Sequence, residues 1–204
     1  MGTIRLVVFD LDGTLTRGDT VCCVLAHRLG RYQRMLELEQ TISDEPGIIR
    51  MREELVGYYR GWSDAELTAC LDALVWAPGA EEAARLLSKH GVSIGIATIT
   101  WTFAAEWVAR RLGVEHYIGT DLGADGTLTH VFPVDKGRRV SSLMTRFGLA
   151  PDAVAVVGDS WLDRYMFDVV AHRYFVGAKP PPDLDIQHYP DGDLAEIARA
   201  ILSV

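Results

Sequence analysis

The chain opens on an almost unbroken apolar run, Ile4 to Phe9, that stops at Asp10-Leu11-Asp12-Gly13-Thr14. A short run of this kind, with only Arg5 intruding, predicts a strand buried on both faces of a parallel sheet. No second strong strand follows before residue 77. Arg28 to Gln40 and Arg50 to Arg60 are instead rich in helix formers, with the Ser43-Asp44-Glu45-Pro46-Gly47 break between them. Ser63-Asp64-Ala65-Glu66 has the form of a capping box and opens a helix to about Leu74, after which Pro78-Gly79 closes the segment. From residue 80 the periodicity alternates. Helices are expected over Glu81 to His90, Thr102 to Leu112, residues 136 to 147, Leu162 to Ala171 and Asp193 to Leu202. Strands are expected over Val92 to Thr98, Glu115 to Leu122, Ala153 to Val157 and Tyr174 to Val176, with a hairpin at Asp125-Gly126. This alternation predicts an α/β fold: a doubly wound, Rossmann-like parallel sheet with a small helical cap inserted after the first strand.

Composition adds boundaries to that pattern. At 204 residues and 49% hydrophobic, the chain can bury a full core. Residues 1–15 with 78–204 are expected to form the α/β core domain and 16–77 the helical cap. The formal net charge of -8 argues against broad attraction to nucleic acid or an anionic membrane, so any phosphate must be gripped locally. Cys22, Cys23 and Cys70 are spaced for neither a disulfide framework nor a zinc site, which makes a reducing, cytoplasmic setting the expectation. No signal-like segment opens the sequence, and no apolar stretch is long enough to span a bilayer.

The polar residues at the strand ends carry the chemistry. Asp10 and Asp12 lie where open α/β sheets bind ligands, and on a continuing strand both would face one side and could address one cation. Thr98 ends another strand, where its hydroxyl and the following N–H groups can hold a phosphate at a helix start. Lys136 heads a helix. A further strand runs into Gly158-Asp159-Ser160-Trp161-Leu162-Asp163, whose two acids can share one helix face. Four carboxylates gathered in one crevice repel and take up protons unless a cation neutralises them. Oxygen ligands without histidine or cysteine favour Mg2+.

The ordered set Asp10-Leu11-Asp12-Gly13-Thr14, Thr98, Lys136, Gly158-Asp159-Ser160 and Asp163 resembles the four motifs of the haloacid dehalogenase (HAD) superfamily, and most closely its phosphoserine phosphatase-like branch. The resemblance implies a Mg2+-dependent phosphatase that hydrolyses a small phosphomonoester through an aspartyl-phosphate intermediate. Asp10 would be the nucleophile, and Asp12 the general acid and then base, with its main-chain carbonyl on the metal. Asp10 and Asp159 would bind Mg2+ directly. Thr98, the Ile99 N–H and Lys136 would hold the phosphoryl oxygens, and Asp163 would act through water or by holding Lys136. The implied partner is a small phosphorylated metabolite, with neither nucleic acid nor membrane involved.

The sequence departs from that branch in places. Ile99-Thr100 follows Thr98 where phosphoserine phosphatases usually carry two glycines, and Trp101 can add an apolar wall. Asp19 stands where the branch carries an acid for the substrate amine. No arginine falls in clear register for a substrate carboxylate; Arg50 and Arg52 are the nearby candidates, on a helix face expected to be solvated. The insertion is expected to close as a lid, its aromatics Tyr58, Tyr59, Trp62 and Trp76 available to line it. Phosphotransfer to an alcohol is the second enzyme reading, and a receiver-like phospho-signalling domain the non-enzyme one.

Overall fold

The computed structural model describes residues 3–190 and 192–204. Strand β1 (Leu6–Phe9) is followed by a two-residue strand β2 (Thr16–Arg17), then by α1 (Val21–Arg28), α2 (Tyr32–Gln40), α3 (Glu45–Tyr59), α4 (Asp64–Cys70) and the short strand β3 (Val75–Trp76). After α5 (Ala80–Lys89) come β4 (Ser93–Trp101), α6 (Thr102–Leu112), β5 (His116–Leu122), β6 (Leu128–Thr129) and α7 (Pro133–Phe147). The chain ends with β7 (Val154–Gly158), α8 (Arg164–Phe167), β8 (His172–Phe175), β9 (Gln187–His188) and α9 (Leu194–Leu202).

Seven strands form one sheet in the order β6-β5-β4-β1-β7-β8-β9, parallel except for the β5–β6 hairpin. The buried apolar runs dictate this arrangement. In β1, Leu6 and Val8 pack into the core shared with Val140, Leu143 and Phe167 of α7 and α8, while Val7 and Phe9 pack into the opposite core. A strand buried on both faces needs helices on both, and α5, α6 and α9 supply the second layer. β1 lies between β4 and β7, so the connection out of β1 runs to one side and later returns on the other. Ligands of open α/β sheets bind at the carboxyl edge of such a switch point.

The helices α1 to α4 leave and rejoin the chain through an antiparallel ribbon in which Thr16 pairs with Trp76 and Arg17 with Val75. One core continues from Val7 and Phe9 through Leu25, Met35 and Leu55 of these helices. Two ties reinforce it. The Trp101 indole N–H donates to the Tyr59 hydroxyl at 3.0 Å, and Arg52 of α3 donates to the carbonyls of Ile99 and Val131. Tyr59→Phe removes the first tie while keeping the ring, so it is expected to destabilise the protein by about 1 kcal/mol in a chemical denaturation curve.

Several boundaries differ from the sequence reading. Helix α1 falls within residues 16–77, expected to form the helical cap, but its own bounds were not expected. Its stretch Val21 to Ala26 is buried all round and shows no polar stripe, although Thr20 caps it by accepting from Cys23 N–H at 3.1 Å. Helix α3 begins at Glu45, inside the expected break, because Asp44 caps it and Pro46 occupies its first turn. Strand β4 runs on to Trp101 through a register shift between Ala97 and Trp101. The helix expected over Leu162 to Ala171 shrinks to Arg164–Phe167 after a single tight turn.

Candidate active site

β1, β4 and β7 present their carboxyl ends side by side. Asp10 still donates its N–H to Val157 of β7 at 3.0 Å, so its carboxyl group is fixed at the sheet edge. The chain then turns through Gly13, whose φ of 79° is costly for any residue with a Cβ. A Cβ there would also collide with the Asp159 carboxylate. The turn brings Asp12 to the first turn of α1, where its Oδ1 accepts the Val21 N–H at 2.7 Å. The register shift in β4 frees residues 98–100 from the ladder beside this turn, a use of bulges common at strand ends near active sites. The Thr98 hydroxyl there accepts from Thr100 N–H at 3.2 Å, which leaves its own proton free to donate.

Lys136 is fully buried in the first turns of α7 and bonds Asp10 at 2.7 Å and Asp163. Asp163 is equally buried. Its second oxygen accepts the N–H groups of Asp159 at 2.9 Å and Ser160 at 3.1 Å, so both its oxygens are engaged. This carboxylate positions Lys136 and the 159–160 turn. Gly158 makes room for it, since a Cβ at that position would meet the Asp163 carboxylate.

Burial dominates the electrostatics. It lifts the Asp10 carboxyl well above the ordinary range, with Asp163 and Asp159 adding repulsion and Lys136 opposing. Asp159 is pushed up to about 6, by burial first and then by Asp163. Asp12 is pushed up to about 7 by burial, with the Val21 N–H opposing and the charges of Asp10 and Glu39 adding. Burial also works against the Lys136 ammonium, but Asp10 and Asp163 together outweigh it and raise its pKa above the ordinary value. Carboxyl oxygens of Asp10, Asp159 and Asp163 lie within 4.8 Å of one another. An all-oxygen set in which burial and repulsion oppose the ionisation of Asp10 and Asp159 fits a hard divalent cation.

A cavity of about 350 Å³ joins Asp10, Asp12, Thr98, Ile99, Lys136 and Asp159. Asp163 stands behind it, holding Lys136. Arg52 also reaches this cavity and is buried, contrary to the solvated face expected, whereas Arg50 is exposed. Asp19 is elsewhere: exposed, it accepts from the Tyr32 hydroxyl at 2.7 Å and lines a separate cavity of about 830 Å³ that contains none of the strand-end residues. The acid that does face the strand ends is Glu39 of α2. The sequence offered no sign of it, because Glu37 and Glu39 look alike until α2 is folded over the sheet.

Residues 7–168 match the family described as haloacid dehalogenase-like hydrolase. A phosphoserine phosphatase of Archaeoglobus fulgidus is 26% identical over 172 residues, covering 80% of this chain and 50% of its own length. This chain therefore spans half of that relative. A phosphoserine phosphatase of Wolinella succinogenes is 25% identical over 187 residues, covering 87% of this chain and 89% of its own. A solved structure described as a phospho-aspartyl intermediate analogue of phosphoserine phosphatase superposes with a TM-score of 0.82 at 18% identity, over 97% of this chain and 99% of the other, which establishes the shared fold.

Proposed function

The chain belongs to the haloacid dehalogenase-like hydrolases, and from that premise we propose that it is a Mg2+-dependent phosphatase acting on a small phosphomonoester. The observation that carries this reading is the cavity in which Asp10, Asp12, Thr98, Lys136 and Asp159, drawn from separate elements of the fold, meet. An Asp10 carboxylate oxygen attacks phosphorus in line, and the P–O bond to the alcohol breaks. The Asp12 carboxyl, pushed up to about 7 so that a large share keeps its proton near neutral pH, gives that proton to the departing alkoxide. Water then attacks the aspartyl phosphate, Asp12 takes its proton, and phosphate leaves with the Asp10 carboxylate restored. Thr98, the Ile99 N–H and Lys136 hold the phosphoryl oxygens and offset their developing charge. Asp10, Asp159 and the main-chain carbonyl of Asp12 would hold Mg2+, which when bound neutralises charge on the phosphoryl group and the acids. Helices α1 to α4 act as a cap that excludes bulk water.

The test is a panel of small phosphomonoesters with Mg2+, following released phosphate and any phosphorylated alcohol. Phosphate release is expected; phosphorylation of an added alcohol in its place would identify a phosphotransferase. Two further results follow from the acid cluster. Asp159 binds its proton more tightly in the folded state than the ordinary value near 3.9, so without metal its contribution to stability is lost as pH rises through about 6. Mg2+ displaces those protons, so its stabilising effect is expected to grow with pH. At one fixed concentration, a hundred times the Kd at pH 8, Mg2+ is expected to raise Tm by about 5–10 °C at pH 8 and by much less at pH 5, read by thermal shift. Gly13→Ala pushes a methyl group into Asp159 and is expected to weaken Mg2+ about ten- to a hundredfold, read from the Mg2+ dependence of the same melt.

A further inference from the structure

We infer that Glu39 reads a cationic group on the substrate and that the site has no matching reader for a carboxylate, so the preferred esters are phosphates of amino alcohols. This inference rests on the phosphatase reading above.

Glu39 lies toward the end of α2 and lines the same cavity as Asp10, Asp12 and Thr98. One of its oxygens accepts the Thr20 hydroxyl at 2.5 Å, which fixes the side chain. Among the described residues no basic side chain forms an ion pair with it; the acids of its neighbourhood that are paired, Glu37 and Glu54, are both held by Arg34. Glu39 is thus an anchored carboxylate in the wall of the cavity, close enough for its charge to act on Asp12 and with no basic side chain paired to it among the described residues.

Arg52 and Lys136 are the two basic residues lining this cavity, and both are committed to the protein. Lys136 holds Asp10 and Asp163. On Arg52, both protons of Nη2 are used, by the Ile99 carbonyl at 2.5 Å and the Val131 carbonyl at 2.7 Å, while Nη1 meets His130 Nδ1 at 3.0 Å. The two faces on which a guanidinium grips a carboxylate with a pair of bonds each include Nη2. Arg52 therefore fastens α3 to the ends of the sheet and has no two-pronged face to offer. The rest of the wall is largely apolar, formed by Ile42, Met51, Ile99, Trp101 and Leu162 with Trp161 half exposed at the rim, and its hydroxyl groups at Thr20, Thr100 and Ser160 are neutral and in contact with Glu39, Cys22 and Asp163. Such a wall suits a short carbon chain and, among the described residues, offers no free cation to a substrate carboxylate.

The experiment compares kcat/KM for 2-aminoethyl phosphate, the uncharged isostere n-propyl phosphate and phosphoserine, in the Mg2+-loaded wild type and in Glu39→Gln. In parallel, calorimetry measures binding of 2-aminoethylphosphonate and n-propylphosphonate, which are not hydrolysed. The wild type is expected to favour the amine over the propyl compound about ten- to a hundredfold in both assays, the worth of one charge-assisted hydrogen bond. It is also expected to favour 2-aminoethyl phosphate over phosphoserine. Glu39→Gln should bring the amine-to-propyl ratio close to one, whereas a purely structural role would lower both compounds together and keep the ratio. An unchanged ratio in Glu39→Gln, a wild type blind to the amine, or a preference for phosphoserine would overturn the inference. Hydrolysis without amine preference leaves the phosphatase reading standing and removes this one. Amine-selective binding lost in Glu39→Gln, with no ester hydrolysed, does the reverse.

Discussion

Asp10→Asn is expected to lower kcat by about ten-thousandfold or more without unfolding the protein. The change removes the attacking oxygen of the first step, and losses of that size accompany removal of a nucleophile that acts as part of a unit. Its effect on stability has the opposite sign. Asp10 is buried, repelled by Asp159 and Asp163, and held well above the ordinary carboxylate range. A neutral isostere relieves that repulsion at pH values where the acids ionise, while Lys136 keeps Asp163 as its partner. The metal-free Asp10→Asn protein is therefore expected to melt at or above the wild type at pH 8 and to gain less from Mg2+. Phosphate-release assays and thermal melts at two Mg2+ concentrations check both halves.

Lys136→Met is expected to fail in both respects. The ammonium is buried between Asp10 and Asp163, and Met fills a similar volume with no charge. Removing one partner from a buried ion pair costs about 3–5 kcal/mol, because the carboxylates left behind cannot reach water. For a chain of this size that is a fall in Tm on the order of 10 °C. Activity is expected to fall about a thousandfold, since the proposed phosphoryl-oxygen donor is lost and Asp10, without Lys136 opposing its raised pKa, is protonated more readily. Lowering the pH should recover part of the stability by neutralising Asp10, and it should recover none of the activity. Lys136→Arg is not expected to rescue either property, because a guanidinium is too large for a site in which the ammonium is fully enclosed.

The strand ends were legible because their signals are local. An apolar run halted by Asp10-Leu11-Asp12-Gly13, and another by Gly158-Asp159, give both the sheet and its ligand-facing edge, and each run becomes a central strand of the observed sheet. What the sequence concealed depends on tertiary placement. Residues 21–26 of α1 are apolar on every side and so show no helical stripe. Asp19, one residue before the cap of α1, is turned away from the cavity, and Glu39 faces it instead. Arg52 lies on a helix that carries Glu53 and Glu54 as exposed or half-exposed neighbours, and its burial follows only from α3 lying against β4 and the segment between β6 and α7. The register shift that frees Thr98 has no glycine or proline within residues 97–101 of β4; its one mark is Gly119 across from it on β5, where a Cβ would meet Thr100 and Thr102, and that pairing is known only once the strands are placed.

In the proposed mechanism Asp10 carries the phosphoryl group during turnover. The most direct measurement is rapid mixing of the Mg2+-loaded enzyme with excess 2-aminoethyl phosphate, or whichever ester of the panel it turns over fastest. The reaction is quenched in acid, where acyl phosphates persist, and the peptides are read by mass spectrometry. The expected result is the mass of one phosphoryl group on the peptide bearing Asp10, formed faster than steady-state turnover and absent from Asp10→Asn. Steady phosphate release with the phosphoryl group on another residue, or with none trapped at any mixing time and the same rate in Asp10→Asn, would contradict it.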